Sequence, residues 1–313
     1  MNGEIRKALA LWGLETAKVD FWAGRENLVY RVSHGAGLSA LRLKRPGYRN
    51  KAELISELQW LDAMDHAGLQ VPRPLKSLSG NLLEQVGGQF ADVIVWMDGT
   101  PMGDALAAAT PQDKAAAFRR LGQVLAKLHC ASDEWHPPPG FTRCAWSIDG
   151  LLGDSPVWGR FWENPTLDAE TRAFLLRFRD HARNDLQRNA ARLDYGLIHA
   201  DALRENVLID GAAIKLLDFD DGGFGFRLFD LATTLIGNLN DPAYPAIRAA
   251  LIEGYHKVRP LDAETLDLFL AIRAVTYIGW IVPRMTEDGA QERNTRFIHR
   301  ARTLCAAYLD KAH

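Results

Sequence analysis

Cysteine is scarce and poorly placed for a framework. Cys130, Cys144 and Cys305 are the three in 313 residues, odd in number, widely separated and without metal-ligand spacing. A disulfide scaffold is thereby excluded, and a reducing cytoplasm is the expected setting. Charge of one sign is also lacking. Lys and Arg number 37 against 39 acidic residues, a net charge of −2, so the composition supplies no general field for nucleic acid or an anionic membrane. Long hydrophobic runs are missing as well. The most apolar late stretch, Leu268 to Val282, is interrupted by Arg273 and ends at Pro283, which predicts a buried helix rather than a membrane span. The opening residues, MNGEIRKALALWGLETAKVD, are amphipathic and carry acidic groups, so they read as neither signal peptide nor span. No internal repeat or low-complexity segment occurs. What is present is 47% hydrophobic residues, ample for the core of one large or two modest domains.

The chemistry concentrates between Tyr195 and Asp220, YGLIHADALRENVLIDGAAIKLLDFD. An apolar entry (Gly196, Leu197, Ile198) leads into a polar loop from His199 to Asn206. Two short apolar runs follow, Val207 to Ile209 and Ile214 to Leu217, with Asp210 and Gly211 as a turn signal between them. This predicts a hairpin with Asn206 just before its first strand and Asp218 just after its second. An amide oxygen and a carboxylate would then meet at the open end, the kind of donor pair Mg²⁺ accepts while completing its shell with water and phosphate. Asp201, five residues before Asn206, could accept a proton from a substrate hydroxyl. His-x-Asp-x-x-x-x-Asn, a hairpin and Asp-Phe form the constellation of kinase-type phosphoryl transfer. Any one element alone is more often a cap or turn residue.

The segment HADALRENVLID followed by IKLLDFDDGGFGFRLFDLA resembles the aminoglycoside phosphotransferase and choline kinase superfamily, in particular its homoserine kinase type II-like branch. That family's loop commonly reads His-Gly-Asp-Leu-His-Pro-x-Asn. Here Ala200 stands at the glycine and Leu203 at the second histidine, while Asp201, Asn206 and Asp218 match. The resemblance implies an α+β, bilobal, protein-kinase-like fold. A small antiparallel-sheet lobe over residues 1–97 would bind ATP, and a larger, mainly helical lobe over 98–313 would hold the catalytic and substrate-binding parts. It further implies ATP and Mg²⁺, with Asp201 as catalytic base and Asn206 and Asp218 on the metal.

The rest of the chain fits this frame. Val19 to Val32 reads as strand, turn, strand, with Gly24, Arg25, Glu26 and Asn27 at the turn; kinase folds place such a turn over phosphates, and Gly24 and Asn27 are its candidates. Taken alone, one glycine makes an ordinary hairpin. In Ser39 to Pro46, Leu41 and Leu43 alternate with Ala40, Arg42 and Lys44. By resemblance Ala40 floors the adenine pocket and Arg42 is the phosphate-binding cation, with Lys44 the alternative; the bland reading is an exposed basic edge. Asn50 to Ala67 predicts a helix burying Leu54, Leu58 and Leu61, from which Glu57, or else Glu53, pairs with the strand cation. The apolar run Phe90 to Met97 predicts a central strand, and adenine would meet the backbone of Val95 to Met97 beside Trp96 or Met97. Thr110-Pro111 opens a helix toward His129, itself expected to be structural. The aromatic-rich stretch 131–165 either walls a substrate pocket or packs on itself. A helix is expected over Leu167 to Leu193, and Asp230 is expected to anchor the catalytic loop through its backbone.

Only twelve positions separate Asp218 from Asp230, too few for a peptide-binding activation segment, and no Ala-Pro-Glu follows. A small hydroxylated acceptor, such as homoserine, an amino alcohol, a sugar or an aminoglycoside, suits the chain better than a protein. A stress-response-type Ser/Thr protein kinase and a catalytically silent nucleotide-binding protein are the alternatives. Oligomeric state is not legible.

Overall fold

A computed structural model describes residues 3–24 and 27–311; Arg25 and Glu26 of the expected turn lie outside them. In chain order the first elements are α1 (Gly3–Ala10), β1 (Lys18–Gly24), β2 (Leu28–His34), β3 (Gly37–Leu43), α2 (Lys51–His66), β4 (Pro74–Leu75), β5 (Glu84–Val86), β6 (Gln89–Val95), β7 (Thr100–Pro101) and α3 (Met102–Ala105). There follow α4 (Pro111–Glu134), β8 (Ala145–Trp146), α5 (Ile148–Leu152), α6 (Ala169–Asn189), β9 (Tyr195–Ile198), β10 (Val207–Asp210) and β11 (Ala213–Leu216). The chain continues through β12 (Gly223–Phe226), α7 (Arg227–Ile236), α8 (Tyr244–His256), α9 (Leu266–Trp280) and α10 (Ala290–Lys311).

These fall into two compact units. One comprises the residues up to Ala105, Ala131–Arg143 and Glu205–Asp220; the other comprises Leu106–Cys130, Cys144–Arg204 and the residues from Asp221 onward. The first is built on an antiparallel sheet in the order β1-β2-β3-β6-β4, with β5 also on β6. The predicted alternation of β3 is what divides its packing. Leu41 and Leu43 join the cluster of Ile5 and Leu9 from α1, and Ala40 joins Leu54 and Leu58 of α2. Helix α2 starts at a capping box, with Asn50 accepting from the Glu53 amide at 3.0 Å and Glu53 accepting from the Asn50 amide at 3.0 Å. The expected hairpin is β10 and β11, paired from Val207 with Leu216 to Asp210 with Ala213. Its turn is made by Gly211 at φ +58°, a conformation glycine adopts without a Cβ penalty.

The second unit is mainly helical. Helix α9 is buried along almost its whole length, including Arg273, as expected for a central helix rather than a span; among the described residues no helix is long and apolar enough to cross a membrane. A short sheet places β12 antiparallel to β9 and parallel to β8. Asp168 caps α6, so the helix expected from Leu167 begins two residues later. The aromatics of the irregular stretch pack on one another and on the helices: Trp146 stacks on Phe229 at 5.3 Å and meets Trp158 edge-on at 5.1 Å.

Candidate active site

In the first unit, register brings charge together. β3 and β6 pair with Arg42 opposite Asp92. Arg42 is buried, with Nε donating to Asp92 at 2.7 Å and Nη1 paired with Glu57 at 2.9 Å, while Nη2 is buried with no acceptor. Lys44, two residues on, lies 3.2 Å from Glu57, 3.0 Å from Asp220 and 3.4 Å from Asp92. Both cations therefore face the same carboxylates, and neither is the exposed base of an edge strand. Glu53 is committed to the helix cap and lies 3.7 Å from Arg49, so Glu57 is the helix glutamate in the cluster.

Two cations against three buried carboxylates set the electrostatics. Burial raises the Glu57 carboxyl above its ordinary value, with Arg42 and Lys44 opposing. Burial also works to raise Asp220, but Lys44 and Arg42 outweigh it and hold that carboxyl far below the ordinary carboxylate range. Lys44 is raised despite burial and the neighbouring Arg42, because Asp220, Asp92 and Glu57 surround it. Asp220 is thus an ion-pair partner here. Asn27 donates to its other oxygen and accepts from the Arg45 amide at 3.4 Å. Gly24 ends β1, opposite Leu28.

Ala40 is buried against α2, and Trp96 and Met97 are half-buried just past β6. The Val95 and Trp96 amides already donate to the carbonyls of Arg73 (2.8 Å) and Leu38 (3.1 Å). Those two N–H groups are therefore committed within the protein. Trp96 meets Trp22 edge-on at 4.9 Å, and Arg31 lies over its ring at 5.4 Å.

Asn206 and Asp218 flank the hairpin as its spacing predicted. The Leu217 amide donates to the Asn206 carbonyl at 2.8 Å, which closes the ladder between them. Asp218 is exposed and adopts φ +59°, a left-handed conformation costly for a residue with a Cβ. Arg143 fixes the turn that follows, donating to the carbonyls of Phe219 (2.8 Å) and Asp220 (2.7 Å). Among the described residues no group of three or more His, Cys, Asp or Glu stands ready as a metal cage. An amide and an exposed carboxylate are nonetheless hard-oxygen donors suited to a cation that keeps most of its shell for water and phosphate.

In the second unit, the loop after β9 is pinned from beneath. Asp230 accepts from the amides of His199 (2.8 Å) and Ala200 (2.6 Å), and from His129 at 2.9 Å. That is the anchoring role expected of Asp230, with His129 structural. Ala200 takes φ +62°. The side chain of Asp201 is 21% exposed, and its Oδ1 accepts from Nη2 of the fully buried Arg273 at 2.9 Å.

Sequence reasoning missed Asp92, Arg143 and the pairing of Arg273. An acid inside the apolar run FADVIVWM and an arginine inside the apolar Leu268 to Val282 were their signals; each demands a buried partner, though the sequence does not say which.

Comparison with known proteins identifies the family. The phosphotransferase enzyme family model matches residues 19–266. A homoserine kinase of Methylobacillus glycogenes is 28% identical over 249 residues, 77% of this chain and 71% of that protein. The structure of a microcompartment-associated aminopropanol kinase superposes with a TM-score of 0.82 at 28% identity, covering 98% of this chain and 97% of the other. An amicoumacin kinase bound to AMP-PNP and Ca²⁺ shares the fold, with a TM-score of 0.74 at 20% identity over 95% and 91% of the two chains. The chain belongs to the phosphotransferase enzyme family, within the superfamily of aminoglycoside phosphotransferases and choline kinases, and is a kinase.

Proposed function

We propose that the protein transfers the γ-phosphoryl group of ATP to a hydroxyl of a small molecule, with Asp201 as the base. The observation that carries this reading is the state of Asp201: its carboxylate is oriented by Arg273, its loop is fixed by Asp230, and its side chain is partly exposed. Asp201 orients the acceptor hydroxyl and takes its proton as the oxygen–phosphorus bond forms and the bond to the β-phosphate oxygen breaks, releasing ADP. Asn206 and Asp218 would hold Mg²⁺, which supplies charge neutralisation on the phosphates. Arg42, aligned by Glu57, would donate its unpartnered Nη2 to a phosphate oxygen. Gly24 and Asn27 would lie over the phosphates, and Ala40, Trp96 and Met97 would border the adenine. Most of the acceleration comes from positioning.

The run from residue 221 to 226 is occupied largely by β12 and leads straight into α7, and the relatives above act on small molecules by name, so a peptide acceptor has no support. ATP consumption across homoserine, amino alcohols, choline, sugars and aminoglycosides identifies the acceptor. With it, Asp201→Asn should lower kcat by about 10²–10⁴ while the KM for ATP stays within about threefold. Near-full activity in that variant refutes the base assignment.

A further inference from the structure

Near Asp201 the second unit carries a fully buried arginine, Arg273, whose donors outnumber its acceptors. Arg273 is enclosed by the rings of Trp158 and Tyr277, each 4.5 Å from its guanidinium carbon, and of Phe229 at 5.4 Å. Its Nη2 serves Asp201 and the Tyr277 hydroxyl (3.2 Å), but Nε and Nη1 are buried with no acceptor. Aromatic faces satisfy a guanidinium's charge and leave its in-plane N–H donors without partners.

Tyr277 connects this group to α10. Its ring stacks on Phe297 at 4.8 Å and 16°. Arg300, one turn beyond Phe297 on the same helix, is half-buried. No acidic side chain pairs with it among the described residues, and its charged neighbours are Arg296 and Arg204. Burial, with these like charges, lowers the Arg300 guanidinium below its ordinary value, and Tyr277 opposes them. Guanidinium donors left over in such a place are satisfied where a ligand supplies an anion.

We infer that Arg273 and Arg300 are specificity-determining residues that receive an anionic group on the acceptor, so that the preferred substrate is a hydroxylated carboxylic acid rather than a cationic amino alcohol. This rests on Asp201 as the base, since it places the anion beside the carboxylate that meets the hydroxyl. A planar carboxylate suits a guanidinium fork. An amino alcohol without one brings a further positive charge beside two guanidiniums.

Three matched pairs differ only in the carboxylate: homoserine and 3-amino-1-propanol, serine and ethanolamine, threonine and 1-amino-2-propanol. The acid of at least one pair should be phosphorylated with a kcat/KM about tenfold or more above its partner, the effect of one charged hydrogen-bonded contact. Arg300→Gln should remove most of that preference through a higher KM for the acid, leaving the KM for ATP unchanged. A rise in the KM for ATP instead places the guanidinium on a nucleotide phosphate and overturns the inference. Equal or better turnover of the amino alcohols overturns it while leaving the kinase reading intact. Turnover of none of the six also overturns it, and the wider acceptor panel then decides the kinase reading separately. Retained turnover in Asp201→Asn removes the base assignment instead.

Discussion

Arg42 commits Nε to Asp92 and Nη1 to Glu57, and only Nη2 remains for a ligand. Lys44 has three carboxylates within 3.4 Å, so its ammonium is engaged by the protein itself. This difference bears on the choice between the two cations, which alternation left open because both residues lie on one face of β3. Arg42→Lys keeps the charge and shortens the fork, so the ion pair can persist while the donor in the Nη2 position is lost. The expected result is a folded enzyme whose KM for ATP rises about tenfold or more, with the acceptor KM little changed. If Lys44→Met shows that pattern and Arg42→Lys does not, the two roles are exchanged. The places of Asn206 and Asp218 at the ends of the hairpin were legible because they depend on spacing within one local stretch. Asp92 and Arg273 were not: their partners lie 50 and 72 residues away, joined only by strand register and helix packing.

At the scale of elements, α4 and α8 meet backbone to backbone. A Cβ on Gly122 of α4 would stand 2.2 Å from the Leu251 carbonyl oxygen, and one on Gly254 of α8 would stand 1.9 Å from that of Arg119. Helix propensity by itself favours Gly254→Ala by about 1 kcal/mol. The contact is with main chain, which cannot swing aside as a side chain can, so overpacking should win and the variant should lose about 1–3 kcal/mol or more. Urea unfolding monitored by circular dichroism reads the sign directly; a stabilised Gly254→Ala would mean the helices separate at little cost. The start of α4 was legible from Thr110-Pro111, although the helix runs past His129 to Glu134. Its approach to α8 was not, because a glycine within a helical run reads only as a weak position until the neighbouring backbone is in place.

For the whole molecule, acid stability should turn first on His129. It lies fully buried between Asp230 and Tyr255, whose hydroxyl is 2.8 Å from Nδ1. Burial lowers its pKa from the ordinary 6.5, and Arg227 and Arg259 add to that, with Asp230 opposing. The ring is therefore neutral in the folded protein, which assigns Nε2–H as donor to Asp230 and Nδ1 as acceptor from Tyr255. A group whose folded pKa is depressed contributes stability that is complete above its unfolded value. That stability is lost as the pH falls from about 6.5 toward the folded value, at about 1.4 kcal/mol per unit of displacement. Asp220 and Asp230 are also depressed, but from 3.8, so their contributions fade only at lower pH. Unfolding free energy measured between pH 7.5 and 5 should consequently fall in the wild type, and His129→Gln, less stable at pH 7.5, should show a flatter profile. Parallel profiles would assign the loss to another group. Since Asp230 holds both His129 and the backbone of the loop bearing Asp201, phosphoryl transfer should decline over the same pH interval in which the fold loosens.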